Sequence, residues 1–503
     1  MRAATTYVVG SYIDGRLRQS SSVSEPLAVV NPATEERLAL VADGTERDVD
    51  EAVAAAQRAA PGWARMTPAE RASSLFAFAD AVDAHRDELA SIEVTNVGKP
   101  MAMATGEVRG CADNLRFAAG GARALTAPGP GEYVSGFTSL LSREPVGVVA
   151  GIAAWNYPLQ VAVWKLAAAL AVGNTFVLKP SELTPLSAVR LAEISGDVLP
   201  RGVLNVVVGT GSAVGEPLVR HPGIALVSFT GSVATGRRVA VGAAQNLTRA
   251  TLELGGKAPM VVLGDADVEA VVDGIRIFGY ANAGQDCGAI TRVIVERTVY
   301  DELEQRLPAA VESIVVGDPS TGPEIEMGPV ISAQQRDRVN GFVDRALNAG
   351  ARVVCKGASV PDLGYFISPI VLADVEQSSE IVQTEVFGPV VTLQRARDAD
   401  ECLAWANDTP YGLSASVWTS DVALAHRFAR ELNCGTVGVN EHVAVSSELP
   451  WGGFKTSGYG NDMSLLALEE NTQVKHVLIR TTTDRLSPSI SGLGGERTNE
   501  GDA

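Results

Sequence analysis

Cysteine is scarce in this chain, and the few present are unpaired in pattern. Among 503 residues there are five, at 111, 287, 355, 402 and 434. No two have C-x-x-C spacing, and the number is odd. That argues against a disulfide framework and against a zinc site. Histidine is equally sparse, at 85, 221, 426, 442 and 476, so none lies within 40 residues of Cys287. Nothing local suggests a cysteine–histidine pair, although folding could assemble one. Basic residues are outnumbered: 41 Lys and Arg against 59 Asp and Glu leave a formal charge of -18. Such a surface gives nucleic acid or an anionic membrane no reason to approach. Apolar runs such as "LAAALAV" are too short to span a bilayer, and the first residues lack the apolar core of a signal peptide. The expectation is a cytoplasmic protein without metal, nucleic-acid or membrane partners.

What is present is an ordinary globular mixture, 46% hydrophobic and 20% charged, enough to bury a large core. The length suggests about three domains or lobes. The first 125 residues read as mostly helical, from the periodicity of "TERDVDEAVAAAQRAAPGWARM" and the stretch after it. From 146 to about 260, β-branched runs alternate with helical stretches, and a second such series runs to about 440. Strands alternating with helices imply a doubly wound, mostly parallel sheet. The last twenty residues, rich in Gly, Ser and charge, are expected to be disordered.

Several short stretches could carry chemistry, and each also has a plainer reading. "NAGQDCGAITR" sets Cys287 close to two glycines, as a nucleophile on unusual backbone or as a small buried hydrophobe. "VVVGTGSAVGEPLV" places Gly211 and Gly215 after a strand, where a glycine turn can admit a dinucleotide or merely reverse the chain. Thr230, Gly231 and Ser232 open a helix; they could meet phosphate or simply cap it. Lys179, Pro180, Ser181 and Glu182 follow another strand, as a grip for ribose hydroxyls or a solvated turn. Glu253 ends the strand before "LGGK". A carboxylate buried there would have a raised pKa suited to a general base; an exposed strand-end glutamate would not. Asn156, in "AAWNYPL", could donate to an oxyanion or be a turn residue.

Taken together, the segments at 154–158, 179–182, 230–232, 253–257, 282–287 and 385–391 resemble the aldehyde dehydrogenase superfamily in wording, order and spacing. The likeness runs from "NPATEE" at 31 to "KHVLI" near 479. It implies an α/β fold with a Rossmann-type NAD-binding domain (1–128 and 147–254), an α/β catalytic domain (255–445) and a small β oligomerisation extension (129–146 and 446–482), before a tail at 483–503. It implies Cys287 as the nucleophile, Glu253 as the base that activates water, and Asn156 with a backbone N–H as the oxyanion site. A thiohemiacetal would lose hydride to NAD, and the resulting thioester would be hydrolysed. The same resemblance assigns Trp155, Leu254, Glu385 and Phe387 to the cofactor, besides the motif residues above. Glu182 favours NAD over NADP, since its carboxylate would repel a 2'-phosphate. A homodimer or homotetramer is expected.

The substrate reading rests on less. "RFAAGGAR", "PGEYVSGFTS", "FGYANAGQDC" and "SGYGNDMSLLALEE" resemble bacterial gamma-aminobutyraldehyde dehydrogenases. Asp113 and Asp286 could attract an amino end, with Tyr157, Trp164 and Trp451 adding cation–π contacts; both carboxylates could instead be solvated or salt-bridged. Two stretches depart from the family pattern. Alanine stands where proline commonly precedes Trp155, and Trp451 stands where a smaller ring is frequent, which affects the tunnel mouth. A betaine-type or neutral aldehyde, a CoA-acylating enzyme and a catalytically silent homologue are the alternatives.

Overall fold

The computed structural model describes residues 8–18 and 25–482. They form two units, one of residues up to 125 with 145–473, the other of 126–144 with the residues from 474 on.

The larger unit holds a small sheet of Val8–Val9, Arg37–Val41 and Leu27–Val30 and two large ones. In the first large sheet, eight strands run in the order Gly458–Tyr459, Arg249–Glu253, Leu226–Thr230, Val148–Ile152, Thr175–Lys179, Leu204–Val206, Ser11–Ile13, Arg16–Arg18. The five from Arg249–Glu253 to Leu204–Val206 are parallel. The three at 148–152, 175–179 and 204–206 are buried on both faces, as a sheet covered by helices on two sides requires. Chain order reverses beside Val148–Ile152: the next strands in sequence lie to one side, the later ones to the other. In open α/β sheets, ligands bind at the carboxyl ends of the strands flanking such a reversal. The second large sheet runs Arg352–Lys356, Ile370–Ala373, Val390–Ala396, Arg292–Glu296, Pro259–Val262, Ser414–Trp418, Thr436–Val439. All its pairs are parallel except the first.

The helical reading of the first 125 residues holds from Glu46 to Ala124 and fails before it. Five short strands occupy 8–41. Their runs are two to five residues long and broken by turns such as Asp14-Gly15, both at positive φ, and the helical pattern begins only after them. The smaller unit is a sheet of Gly131–Val134, Phe137–Pro145 and Thr472–Arg480. Its later part is narrower than the expected 446–482: Gly458–Tyr459 pairs with Leu252 and Glu253, and residues up to 473 group with the larger unit. The tail at 483–503 lies outside the described residues. No helix among the described residues is long and apolar enough to cross a membrane.

Candidate active site

A cavity of about 1020 Å³ opens at the carboxyl ends of the first large sheet. Cys287, Glu253 and Asn156 all line it, with Asp286, Tyr157, Trp164 and Trp451.

The segment leading to the cysteine is strained. Asn282, Ala283 and Gly284 take φ of 49°, 55° and 67° in succession. Left-handed backbone at residues with a Cβ costs about 1–3 kcal/mol each, and it persists only where surroundings enforce it. Here they do. Asn282 Nδ2 donates to the carbonyls of Asn156 and Gln285, at 3.1 and 3.2 Å. Fully buried Gln285 donates to Asn282 O at 3.0 Å and accepts from Ile331 N–H at 2.8 Å. Asn156 Nδ2 donates to Gln285 O at 3.0 Å, which uses one of its two amide hydrogens. Asp286 accepts from Tyr157 Oη at 2.5 Å and from Gly288 N–H at 2.7 Å.

The charges around the sulfur are negative. Desolvation, then Asp286, Glu253 and Glu385, push the Cys287 thiol well above its ordinary value. Glu253 is 5% exposed, and neither of its carboxylate oxygens has a hydrogen-bond partner among the described residues. Desolvation and then Asp462 raise its ionisation well above the usual carboxylate range, against the pull of Lys165. Lys165, buried in the helix Pro158–Ala171 and its only charged residue, donates to Asp462 Oδ2 at 2.9 Å and Ser228 Oγ at 3.1 Å. Sequence reading missed both partners of this pair. The one signal was a lone cation inside "VWKLAAALA".

Asp113 does not join the site. It is exposed on the helix Met101–Ala124, accepts from Ser447 Oγ at 2.7 Å, and lines no part of the cavity. Helical side chains point according to packing, and the acidic residue reads the same on any face. Tyr157 and Asp286 do face the cavity, bonded to each other. Trp164 and Trp451 stand 6.4 Å apart, centroid to centroid.

The rest of the cavity is built from cofactor candidates. Trp155, Lys179, Ser181, Glu182, Gly211, Gly215, Thr230, Gly231, Ser232, Leu254, Glu385 and Phe387 line it, while buried Pro180 stands behind. Lys179 Nζ donates to Glu182 at 2.9 Å. Ser232 caps the helix Val233–Ala244, accepting from Thr235 N–H at 3.3 Å, so the capping role is real. A Cβ on Gly231 would lie 2.6 Å from the Phe229 ring, whereas one on Gly211 or Gly215 would meet nothing within 4 Å. Protein packing does not demand the last two glycines, and the space beside them belongs to the cavity. Buried Thr230 Oγ1 has no partner. Arg220, Arg237 and Arg238, absent from the sequence expectations, add positive charge to the lining. Glu385 accepts from Gly256 N–H at 2.9 Å; desolvation raises it to about 7. Phe387, at φ 60°, meets Trp155 edge-on at 5.2 Å. A helix N-terminus, arginines, an orphaned hydroxyl and glycine-lined space suit a dinucleotide.

Residues 18–477 match the model of the aldehyde dehydrogenase family. The chain belongs to that family. It is 40% identical over 473 residues to a betaine aldehyde dehydrogenase of Cereibacter sphaeroides, covering 93% of this chain and 96% of the relative. It is 42% identical over 468 residues to a phenylacetaldehyde dehydrogenase of Pseudomonas fluorescens, covering 90% and 92%. Among solved structures, betaine aldehyde dehydrogenase of Staphylococcus aureus, in complex with NAD+, superposes with TM-score 0.91 at 36% identity, covering 96% of each chain. The family and fold expectations hold. These relatives carry betaine and phenylacetaldehyde names, not the aminobutyraldehyde name expected from the sequence.

Proposed function

We propose that this family member oxidises an aldehyde bearing a cationic nitrogen to its carboxylic acid, with Cys287 as nucleophile. The observation that carries the reading is the shared cavity of a thiol and a buried, unpartnered carboxylate, Cys287 and Glu253.

The Cys287 thiol gives its proton to water and its sulfur bonds to the carbonyl carbon, while the second Asn156 amide hydrogen and the Cys287 N–H meet the oxygen that becomes negative. Lys179, Glu182, Ser232 and Glu385 would hold NAD, which when bound supplies the two-electron acceptor for the oxidation. The ionised form of Glu253 takes a proton from the water that attacks the acyl carbon, and the C–S bond breaks to release acid and thiol. With Glu253 available for hydrolysis, transfer of the acyl group to coenzyme A is the lesser reading.

The cationic end is supported by Asp286 and by the aromatic faces of Trp164 and Trp451. An ω-aminoaldehyde such as 4-aminobutanal is the first reading; betaine aldehyde is the second, favoured by the relatives' names. Cys287→Ala is the direct test. It should abolish aldehyde-dependent NADH formation while NAD still binds. Turnover within about tenfold of wild type would refute the assignment.

A further inference from the structure

Folding brings His442 against the turn that carries Cys287, from 154 residues away along the chain. The ring is 1% exposed and does not line the cavity, so it does not touch substrate. Its Nε2 lies 2.7 Å from Gly288 O, and its Nδ1 lies 2.8 Å from Ser416 Oγ. The Trp418 indole Nε1 lies 3.3 Å from the same Ser416 oxygen.

With the ring neutral, the directions in this chain of bonds are fixed by its two ends. An indole N–H only donates and a carbonyl only accepts. Trp418 therefore donates to Ser416, Ser416 donates to His442 Nδ1, and His442 donates from Nε2 to Gly288 O. The ring is neutral in one tautomer, in keeping with burial that pushes its ionisation down to about 4. Phe278 packs against it at 5.7 Å.

Gly288 needs such a hold. Glycine loses more conformational freedom on folding than any other residue, and this one directly follows the nucleophile. Its N–H is tied to Asp286, and its carbonyl accepts from His442 and, at 3.2 Å, from Ser414 Oγ. With both ends of the glycine fixed, the sulfur cannot drift on that side.

We infer that His442 is a positioning residue, which clamps the Gly288 carbonyl and so holds Cys287 at its attacking position. The inference rests on Cys287 being the nucleophile. A sulfur misplaced by about 1 Å can cost up to about a hundredfold in rate. His442→Phe should therefore lower both kcat and the rate of Cys287 alkylation by about ten- to a hundredfold, with KM for NAD unchanged. His442→Gln, whose amide can donate to the same carbonyl, should recover most of the loss. Ser416→Ala removes a single oxygen and frees the tautomer, so it should show a smaller loss of the same kind, and it reports even if a ring replacement fails to fold. Wild-type reactivity in a folded His442→Phe or in Ser416→Ala would overturn the clamp, as would equal losses in the Phe and Gln variants. Alkylation is read on the peptide containing Cys287, so it measures the clamp whether or not that thiol carries turnover. The Cys287→Ala turnover assay decides the nucleophile separately.

Discussion

Tyr157 and Asp286 are joined by a 2.5 Å hydrogen bond, phenol to carboxylate, across 129 residues of sequence. Beneath the phenol, the Lys99 ammonium sits 4.4 Å from the ring centroid, itself held by Glu93 and Glu107 at 2.9 and 2.6 Å. The two residues therefore act on the nucleophile together, through the charge of Asp286. Two variants should move Cys287 in opposite directions. Asp286→Asn removes a negative charge that raises the thiol, so alkylation should begin at lower pH. Tyr157→Phe takes away one of the carboxylate's two donors and leaves only Gly288 N–H, so alkylation should begin at higher pH. Rate against pH with iodoacetamide measures both; shifts of the same sign would refute the coupling.

Glu253 is raised in the folded chain. From its ordinary 4.5 upward, the native carboxyl keeps a proton that the unfolded chain has lost. Stability then falls as pH rises through that window, by about 1.4 kcal/mol for each unit of the shift. Glu253→Gln should be more stable than wild type at neutral and alkaline pH, with the gap closing at and below about pH 4.5. Turnover should fall by at least about a hundredfold, the usual worth of a general base. Melting curves across pH check this; a variant less stable than wild type at pH 8 would contradict it.

Coenzyme choice is expected to turn on Glu182, whose carboxylate lines the cavity while bonded to Lys179. Like charges about 4 Å apart repel by about 1–4 kcal/mol between bulk-water and protein-surface conditions. Glu182→Ser should thus raise kcat/KM for NADP relative to NAD by about tenfold or more. If wild type already uses both equally well, Glu182 has another role.

The small sheet exposes Tyr133, Val134, Val474, Leu478 and Ile479, all between 46% and 77%. Apolar exposure on both faces of the sheet marks an interaction surface, and both outer strands leave edges unpaired among the described residues. A homodimer or homotetramer covering it is the expected state. Leu478→Asp should shift the assembly towards smaller species in light scattering. A wild-type mass of one 52.5 kDa chain at micromolar concentration would rule assembly out.

The cysteine, the buried glutamate and most of the other cavity-lining residues could be read from sequence because each sits in a short contiguous stretch. Glu253 is legible as the last residue of a strand before two glycines, and Ser232 as a helix cap. The supporting side chains were not. Lys165 meets Asp462 across 297 residues, and His442 meets Gly288 across 154. Neither partner carries a local signal of the other. Asp113 failed for the converse reason: its charge was visible, but only packing decides which way a helical side chain faces. The strands before residue 41 were hidden by their brevity, since two to five residues give periodicity little to work with.

Substrate preference is expected to turn on Asp286 and not on Asp113. Asp113 is exposed and bonded to Ser447, so Asp113→Asn should leave the preference for a cationic end untouched. Asp286 faces the cavity, and each of its oxygens accepts only one hydrogen bond from the protein, while a carboxylate has about four sites. Partial burial could give a charge pair on the order of 1–2 kcal/mol, or roughly tenfold, with further attraction from the Trp164 and Trp451 faces. Wild type should therefore favour 4-aminobutanal over butanal in kcat/KM by about that factor. Asp286→Asn should narrow the ratio, mainly through KM. Because this variant also alters Cys287, the ratio is the proper measure: a change in the thiol affects both aldehydes alike and cancels. Betaine aldehyde and phenylacetaldehyde complete the comparison, at fixed pH and salt. A quaternary end preferred over a primary one would select the betaine reading. Equal efficiencies for 4-aminobutanal and butanal, or a clear preference for phenylacetaldehyde, would defeat the cationic reading and leave the aromatic pair as a surface for a neutral ring.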